Sequence, residues 1–380
     1  MKFFIIAGEA SGDLHASHLI TALRERDRQA QFRFFGGDLM ATAAGEAPLV
    51  HYRDMAYMGF VEVAKHLPAI MGFMKTAKRE IDTWKPDAVV LVDYPSFNLK
   101  IAKHAANRDI PVHYFISPKV WVWKQWRVRD IKRYVTAMYC ILPFEPQFYR
   151  NHDFTATYVG NPTVNEIASM LESFLPRDAF MEQYGLDSSL PLIAAVPGSR
   201  RKEINDNLPL MLEAALRHDE CTVAVAAAPG IDDDVYEAVM QRCGMKVPVL
   251  RDCTMQLIHH ARVALVTSGT ATLETALLGT PQVACYRMDG SRLVYWFYSK
   301  ILSGKYVTLP NLIADAPVIP ELLMHLCTVD SIYAHLNRLL GDTAERDAQL
   351  KGYEVVAERL TTADASATAA QLIINSLVGQ

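Results

Sequence analysis

Short apolar runs alternate with amphipathic segments along this chain, and the runs have the length of buried β-strands. The first half contains five of them, at residues 3–7, 31–35, 87–92, 112–116 and 137–142. The second half contains five more, at residues 192–196, 222–226, 247–250, 263–266 and 282–284. Nearly continuous apolar runs are typical of central strands in parallel sheets, which are covered on both faces. The alternation of such strands with helical segments therefore predicts parallel sheets flanked by helices.

The alternation starts again near the middle of the chain, which predicts two domains. A length of 380 residues exceeds what one hydrophobic core usually supports. We predict an α/β protein with two Rossmann-like domains, residues 1–163 and 164–345, facing a central cleft. Gly-Asn-Pro at 160–162 interrupts the pattern and marks the boundary. From about residue 321 the chain is predicted to be almost wholly helical, and residues 346–380 are expected to pack on the N-terminal domain or on a partner subunit.

Composition narrows the class of protein further. Hydrophobic residues make up 51% and charged residues 21%, which is typical of a globular chain, and the net charge of −4 gives no sign of polyanion binding overall. The six cysteines form no CxxC pair, so neither a metal framework nor a disulfide framework is expected. The apolar N-terminus fits a first strand better than a signal peptide, and no run approaches the ~20 residues of a spanning helix. We therefore expect a cytoplasmic protein with at most peripheral membrane contact.

Two motifs follow strands of the first half, where ligands bind in this kind of fold. Residues 8–13 read Gly-Glu-Ala-Ser-Gly-Asp, and two glycines allow a tight turn close to a ligand. An ordinary strand–helix turn with Ser11 as the helix cap explains them equally well. Residues 93–98 read Asp-Tyr-Pro-Ser-Phe-Asn and follow the most apolar strand. Asp93 at that position suits a general base for a sugar hydroxyl, although a loop acid bonded to the backbone is the alternative.

Two motifs of the second half suit a nucleotide. Pro197-Gly198-Ser199-Arg200 ends a strand and begins a helix, where free N–H groups and cations favour a diphosphate. We expect Ser199 to cap that helix and Arg200 to matter more than Arg201 or Lys202. Residues 267–274 form a second such turn, and Glu274 lies one helical turn beyond Thr270, where a carboxylate can accept both ribose hydroxyls. Each turn alone is ordinary geometry, but the two together predict a nucleotide site.

Aromatic and basic residues are concentrated between positions 117 and 133. Three of the five tryptophans fall within 121–126, and residues 119–133 hold six Lys or Arg with one acid, Asp130. Such a segment stacks on bases, lies at a bilayer interface or binds a phosphorylated ligand. A helix with a core-facing tryptophan side and a solvated basic side is the structural alternative.

An amphipathic helix is predicted across residues 60–81. Its continuous stripe is most simply core, and it consists of Val63, Leu67, Ile70, Met74, Ala77 and Ile81. Phe60, Val61, Met71 and Phe73 fall outside the stripe, close to several lysines. Apolar residues rimmed by cations suit a helix lying on an anionic membrane, whereas burial on two sides explains them equally well.

Seven motifs in order resemble the lipid-A-disaccharide synthase family, whose members are inverting glycosyltransferases of the two-Rossmann-domain GT-B class. The resemblance covers essentially the whole chain, and its carriers are residues 8–13, 58–63, 93–98, 113–123, 197–200, 268–274 and Leu309-Pro310-Asn311-Leu312. The family usually has Gly-His-Pro where this chain has Gly160-Asn161-Pro162, so a role for that histidine does not carry over.

The resemblance implies a reaction and its setting. UDP-2,3-diacylglucosamine and 2,3-diacylglucosamine 1-phosphate would give the β-1,6-linked disaccharide phosphate and UDP in lipid A biosynthesis. It implies glycolipid substrates, no metal or other cofactor, no nucleic-acid partner, a peripheral place on the cytoplasmic face of the inner membrane, and a homodimer.

The resemblance and the motifs together assign candidate residues. Asp93 is the candidate base, with Glu9 as a second catalytic candidate. The donor set is Ser199, Arg200, Ser268, Gly269, Thr270, Glu274 and Asn311. The acceptor or cleft set is Gly8, Ser11, Gly12, Asp13, Asn98 and Ser117. The predicted membrane contacts are Phe60, Val61, Met71 and Phe73.

Two other classes fit parts of the sequence. A UDP-sugar 2-epimerase shares the architecture and the UDP chemistry, but it needs a second acid/base set and no membrane face. A membrane-binding or nucleic-acid-binding protein would use the segment at 119–133 alone, which leaves the phosphate-type turns and Asp93 without a role.

Overall fold

The computed structural model describes residues 1–55, 67–122, 124–287, 306–360 and 363–379. In those ranges the chain forms two compact units, Met1–Pro162 with Thr361–Gln380, and Thr163–Leu360. Each unit contains one parallel sheet with helices packed on both of its faces.

The first unit contains a seven-stranded sheet in the order β3-β2-β1-β4-β5-β6-β7. Its strands are β1 Lys2–Ala7, β2 Gln31–Gly36, β3 Val50–His51, β4 Ala88–Val92, β5 Val112–Phe115, β6 Ala137–Cys140 and β7 Ala156–Tyr158. Its helices among the described residues are Ala10–Arg26, Asp38–Ala44, Tyr52–Met55, Leu67–Trp84, Pro95–Ala106, Val128–Tyr134, Glu145–Arg150 and Ala365–Val378, with a 3-10 turn at Gln125–Arg127.

The second unit contains a six-stranded sheet in the order β10-β9-β8-β11-β12-β13. Its strands are β8 Leu192–Val196, β9 Thr222–Ala226, β10 Val249–Leu250, β11 Val263–Thr267, β12 Gln282–Tyr286 and β13 Glu321–Leu323. Its helices among the described residues are Arg177–Gln183, Arg201–Ala215, Asp233–Cys243, Thr254–His260, Thr270–Leu277, Leu309–Ala314, Val329–Leu340 and Ala344–Arg359, with a 3-10 turn at Met324–Leu326. A further helix, Pro162–Leu171, begins at the boundary between the units.

Successive side chains of a central strand enter opposite cores, which is why the apolar runs are continuous. Phe3 and Ile5 of β1 belong to one core of the first unit, while Phe4 and Ile6 belong to the other, and all four are fully buried. A strand must be apolar at every position when helices cover both faces of its sheet. Strand β8 alternates in the same way between the two cores of the second unit.

The C-terminal helix Ala365–Val378 belongs to the first unit. Its residues Ala369, Ala370 and Ile373 share a core with Leu19 and Leu23 of helix Ala10–Arg26. Small residues on one face allow the two helices to approach closely. Within the chain, the C-terminal helix therefore packs on the N-terminal unit.

The helix before it stays with the second unit, which corrects the predicted boundary at 345/346 to Leu360. The buried Gln349 side chain accepts the Gln282 N–H at 2.5 Å and donates to the Gln282 carbonyl at 3.1 Å. The hydroxyl of Tyr353, also buried, donates to the Thr280 carbonyl at 3.1 Å. These bonds fix helix Ala344–Arg359 to strand β12, because buried polar groups must keep their partners.

Three strands were not predicted. Strands β3, β7 and β13 contain two or three residues each, which is too short for a recognisable apolar pattern. The prediction of an almost wholly helical chain after residue 321 is therefore wrong at Glu321–Leu323, which pairs with β12 in parallel.

Candidate active site

Asp93 and Glu9 follow two adjacent strands, β4 and β1, at the position where the order of strands in the first sheet reverses. Ligands of open α/β sheets bind at such reversals. Burial raises the pKa of Asp93 to about 6, the charge of Lys119 opposes that rise, and the charge of Glu9 adds to it. A carboxyl group with such a pKa is poised to take up a proton near neutral pH.

Gly8 shapes this site through the side chain of Tyr94. A Cβ atom on Gly8 would lie 2.5 Å from the Tyr94 ring, so only glycine leaves room for that ring. The Tyr94 hydroxyl donates to the Met55 carbonyl at 3.1 Å. Burial and the charge of Glu9 both raise the pKa of Tyr94. Gly8 therefore contributes to the site by letting the turn after β4 pack against the turn after β1.

The other residues of the first glycine motif have structural positions. Glu9 is the N-cap residue of helix Ala10–Arg26, so the alternative in which Ser11 caps that helix is wrong, and Ser11 lies exposed in the first turn. Gly12 is buried against Ala7. Asp13 is only 3% exposed, and its carboxylate accepts the backbone N–H groups of residues 37, 39 and 40 at 2.6–3.2 Å. It caps helix Asp38–Ala44, which corrects its predicted contact with the acceptor.

Asn98 and Ser117 are also buried and bonded within the protein. The amide of Asn98 donates to the carbonyls of Asp93 at 2.8 Å and Val92 at 3.2 Å. The hydroxyl of Ser117 shares a hydrogen bond of 2.8 Å with the hydroxyl of Tyr149. Both residues lie near the site as expected, but their side chains hold the backbone and the core, which corrects their predicted contact with the acceptor.

The aromatic and basic segment after β5 is fixed by a buried carboxyl that the sequence analysis missed. Trp121 Nε1 donates to Glu145 at 3.1 Å, and the N–H of Leu142 donates to the same carboxyl group at 3.2 Å. Glu145 is 1% exposed, and burial raises its pKa to about 7 against these hydrogen bonds. Trp126, by contrast, is 63% exposed. The segment is thus partly core and partly surface. The predicted alternative of one helix with a core-facing tryptophan side is wrong, because Trp126 is exposed and Trp121 lies before the helix Val128–Tyr134.

The turn after β8 in the second unit bonds a carboxylate, that of Glu203, from the helix that follows the turn. The carboxylate of Glu203 accepts the Ser199 N–H at 3.1 Å and the Arg200 guanidinium at 2.7 Å. Gly198 has a φ of +111°, and a Cβ there would lie 2.6 Å from Glu203 Oε2. Arg200 is the N-cap residue, so the prediction that Ser199 caps the helix is wrong. One backbone N–H and one guanidinium are nevertheless the donors that a phosphate uses.

Arg200 differs from the two cations that follow it. Arg201 pairs with Asp232 at 2.7 Å and Lys202 pairs with Asp206 at 2.6 Å, and both cations are exposed. Such surface pairs contribute little to stability. Of these three cations, Arg200 bonds the carboxylate of Glu203, which also accepts the Ser199 N–H.

The turn after β11 lies beside the turn after β8, because these two strands are neighbours at the reversal of the second sheet. Helix Thr270–Leu277 begins there with Gly269 as its N-cap residue, directly after Ser268. The buried hydroxyl of Thr267 has no hydrogen-bond partner within the described ranges. The sequence pattern of the strand gives no sign of this unpaired hydroxyl. Burial raises the pKa of Glu274 to about 7, and the charge of Glu166 adds to that rise.

Asn311 is 1% exposed, and its amide is occupied within the protein. It donates to the Ile319 carbonyl at 2.9 Å and to Glu321 Oε1 at 3.0 Å, and it accepts the Ile319 N–H at 2.8 Å. Glu321 also accepts the N–H of Thr308 at 2.8 Å. The structure thus corrects the predicted contact of Asn311 with the donor: this side chain joins helix Leu309–Ala314 to Ile319 and Glu321, which follow it.

The predicted membrane contacts are described only in part, since Phe60 and Val61 lie outside the described residues. Met71 on helix Leu67–Trp84 is 52% exposed. Phe73 on the same helix is partly buried against the first unit's core. Met74, Ala77 and Ile81 are buried, as the stripe predicts.

Among the described residues, no three His, Cys, Asp or Glu side chains are grouped so that they could hold a metal ion. Over the same ranges, none of the helices has the length and apolar character that crossing a bilayer requires.

Two units, each with one parallel sheet covered by helices, are typical of the GT-B class, and solved structures of that class resemble this chain. A UDP-GlcNAc 2-epimerase of Neisseria meningitidis bound to UDP-GlcNAc matches with a TM-score of 0.65 and 13% identity over 100% of both chains. The calicheamicin glycosyltransferase CalG4 matches with a TM-score of 0.56 and 15% identity over 100% of this chain and 98% of that chain. These likenesses confirm the predicted fold class.

Sequence comparison gives the family. The family model described as lipid-A-disaccharide synthetase matches residues 3–373. The lipid-A-disaccharide synthases of Myxococcus xanthus and Koribacter versatilis are 37% and 35% identical to this chain, over 99% and 100% of its length and 97% and 98% of theirs. The chain belongs to the lipid-A-disaccharide synthase family, so it is a glycosyltransferase of lipid A biosynthesis.

Proposed function

We propose that this enzyme transfers the 2,3-diacylglucosaminyl group from UDP to the 6-hydroxyl of 2,3-diacylglucosamine 1-phosphate, with inversion. The observation that carries the proposal is Asp93, which follows β4 at the strand reversal of the first sheet, beside Glu9, with its pKa raised by burial to about 6. The substrate class is inferred from the family of the chain. The raised pKa of Asp93 makes its carboxylate a suitable base for the hydroxyl of such a substrate.

The first unit would activate the acceptor. The carboxylate of Asp93 takes the proton of the 6-hydroxyl while that oxygen forms a bond to the anomeric carbon. The bond from that carbon to the diphosphate oxygen breaks, and UDP leaves with the electron pair. A single displacement inverts the carbon, so one base is sufficient and no carboxylate nucleophile is required. We assign Glu9 the role of raising the basicity of Asp93 through its charge.

The second unit would hold UDP at the turns after β8 and β11. The N–H groups of Ser199, Gly269 and Thr270 and the guanidinium of Arg200 suit the diphosphate, since helix N-termini and arginine both stabilise anions. Arg200 now bonds Glu203, so the diphosphate must share that guanidinium or replace the carboxylate. We place the ribose at Glu274, with the hydroxyl of Ser268 close to it.

We further propose that the enzyme needs no metal ion. Charge that develops on the leaving diphosphate is stabilised by preorganised N–H groups and arginine, which can take the place of a cation. Full activity in saturating EDTA is the expected result. A strict requirement for a divalent ion would contradict this part of the proposal.

Membrane contact and assembly are proposals as well. We propose that helix Leu67–Trp84 lies on the cytoplasmic face of the inner membrane, supported by the exposure of Met71 near the cations Lys75 and Arg79. Met71→Ser should reduce sedimentation with anionic vesicles, whereas Val378→Ser, at another exposed apolar position, should not. A homodimer is proposed from the family resemblance, and light scattering of the purified chain tests it.

The test of function is product analysis with both substrates. We expect a β-1,6-linked disaccharide phosphate and UDP in equal amounts, identified by mass spectrometry and NMR, and only when both substrates are present. Conversion of the UDP-sugar alone into its 2-epimer would overturn the proposal in favour of an epimerase. Salt-dependent RNA binding without affinity for UDP would favour a nucleic-acid binder instead.

A further inference from the structure

The backbone around Asp93 has a conformation that two consecutive residues rarely adopt. Asp93 has a φ of 42° and Tyr94 a φ of 46°, both in the left-handed region, and neither is glycine. Their Cβ atoms crowd the backbone carbonyl oxygens there. Such a conformation persists only where the surrounding structure holds it, and it is found at functional sites.

Two buried side chains hold this turn by the carbonyl of Asp93. The hydroxyl of Tyr114 donates to that oxygen at 2.5 Å, and the amide of Asn98 donates to it at 2.8 Å. Both residues are 0% exposed. Tyr114 lies on the neighbouring strand β5, opposite Leu91, so its hydroxyl reaches the turn from the sheet. Asn98 reaches it from helix Pro95–Ala106, which follows the turn.

The other side of the turn is fixed by Tyr94. Its carbonyl accepts the N–H of Asn98 at 3.0 Å, and its ring packs where Gly8 lacks a Cβ atom. The peptide between Asp93 and Tyr94 is therefore held from the sheet, from the following helix and from the turn after β1. Rotation of that peptide is the movement that would redirect the Asp93 side chain.

We propose that Tyr114 and Asn98 are positioning residues for the reaction: they hold the Asp93 carbonyl and thereby aim its carboxylate. This inference rests on the proposed role of Asp93 as base. Neither side chain needs to contact the substrate. Loss of either bond lets the turn relax toward ordinary backbone angles, which displaces the carboxylate and slows proton removal but leaves the donor site in the second unit unchanged.

The test is a double-mutant cycle with Tyr114→Phe, which keeps the ring and removes the hydroxyl. We expect kcat to fall roughly 10- to 100-fold, because a displacement of about 1 Å costs on that order. The KM for the UDP-sugar should stay unchanged. In an Asp93→Asn background the same change should have little further effect on the residual rate. A merely structural role would lower both backgrounds by the same factor.

Tyr139→Phe is the matched control. Tyr139 is a buried tyrosine on strand β6, and its hydroxyl bonds His113 Nδ1 at 3.0 Å instead of the turn. This variant should keep the wild-type kcat. Thermal unfolding of each variant reports the folded fraction, so that a loss of kcat is compared at equal folding. If Tyr114→Phe does not fold, Asn98→Ala takes its place with the same expected separation of kcat from KM.

The outcomes separate this inference from the proposed function. Wild-type kcat in Tyr114→Phe, together with an inactive Asp93→Asn, would overturn the positioning role and leave the base in place. An equal loss in both backgrounds would overturn it too. Normal turnover in Asp93→Asn alone would remove the base itself, and the positioning role with it.

Discussion

The titration of Asp93 gives a prediction that can be worked out from its neighbours. A general base acts only as the carboxylate, and burial raises the pKa of Asp93 to about 6. The activity should therefore fall as the pH decreases through 6. At pH 5 about one tenth of the groups remain ionised, so the rate should be about tenfold lower, with a further tenfold loss for each pH unit below.

The fall in activity below pH 6 is the acidic limb of the pH–activity profile. Two neighbouring charges should shift this limb in opposite directions. Glu9 raises the pKa of Asp93, so Glu9→Gln should shift the limb to lower pH. Lys119 lowers that pKa, so Lys119→Met should shift the limb to higher pH. Glu25→Gln is the control, because Glu25 lies on the same helix as residue 9 but about 24 Å along it, beyond the screening distance at physiological salt.

The assay is the pH dependence of kcat/KM for the acceptor at saturating donor. Saturation with donor keeps the titration of Glu274, whose pKa is also raised by burial, out of the profile. An acidic limb that stays in place in both Glu9→Gln and Lys119→Met would refute the assignment of that limb to Asp93. A shift of equal size in Glu25→Gln would show that overall charge, and not these neighbours, sets the profile.

Three further substitutions test other parts of the account. Gly8→Ala places a Cβ atom 2.5 Å from an aromatic ring of the site, so kcat should fall while UDP affinity by calorimetry stays the same. Gly198→Ala combines a φ of +111° with a clash against Glu203, so it should weaken UDP binding at least tenfold in the same measurement; unchanged affinity would contradict a donor site there. Trp121→Phe removes a hydrogen bond to buried Glu145, costing about 1–3 kcal/mol and roughly 2–10 °C in the calorimetric Tm. That loss should be larger at pH 8 than at pH 6, because the carboxylate accepts more strongly once it is ionised above a pKa of about 7.

The positions of the longer strands along the chain were predictable because their apolar runs are continuous. Every strand of five or more residues was found, since a strand covered on both faces must be apolar at each position. Strands such as Val50–His51 were missed because two residues carry no period. The C-terminal segment was predicted to leave the second unit at residue 346 instead of after Leu360, because the boundary depends on Gln349 and Tyr353, polar residues whose bonds to strand β12 leave no pattern in sequence.

The positions of the candidate site were easier to predict than the roles of its side chains. Residues that follow strands meet at the edge of a parallel sheet, which is why Asp93 and Glu9 lie together. Sequence position does not show which way a side chain points, so Asp13 and Asn311, expected at ligands, are used by the backbone instead.

Some residues of the site gave no usable signal in sequence. Tyr114 lies within an apolar run and reads as core, although its hydroxyl bonds the turn at Asp93. Glu145 begins the short helix Glu145–Arg150, where an acid is expected to be exposed, and its bond from Trp121 shows that it is buried and used. Polar atoms on otherwise apolar side chains and buried acids are recognised by partners such as these, which are distant along the chain.

The most direct test of the central claim is Asp93→Asn, measured for both transfer and UDP binding. The substitution keeps the size of the side chain and removes its ability to take a proton. We predict that disaccharide formation falls about 10²- to 10⁴-fold, the contribution of a general base, while the Kd of UDP stays at the wild-type value. Normal disaccharide formation by Asp93→Asn would show that Asp93 is not the base.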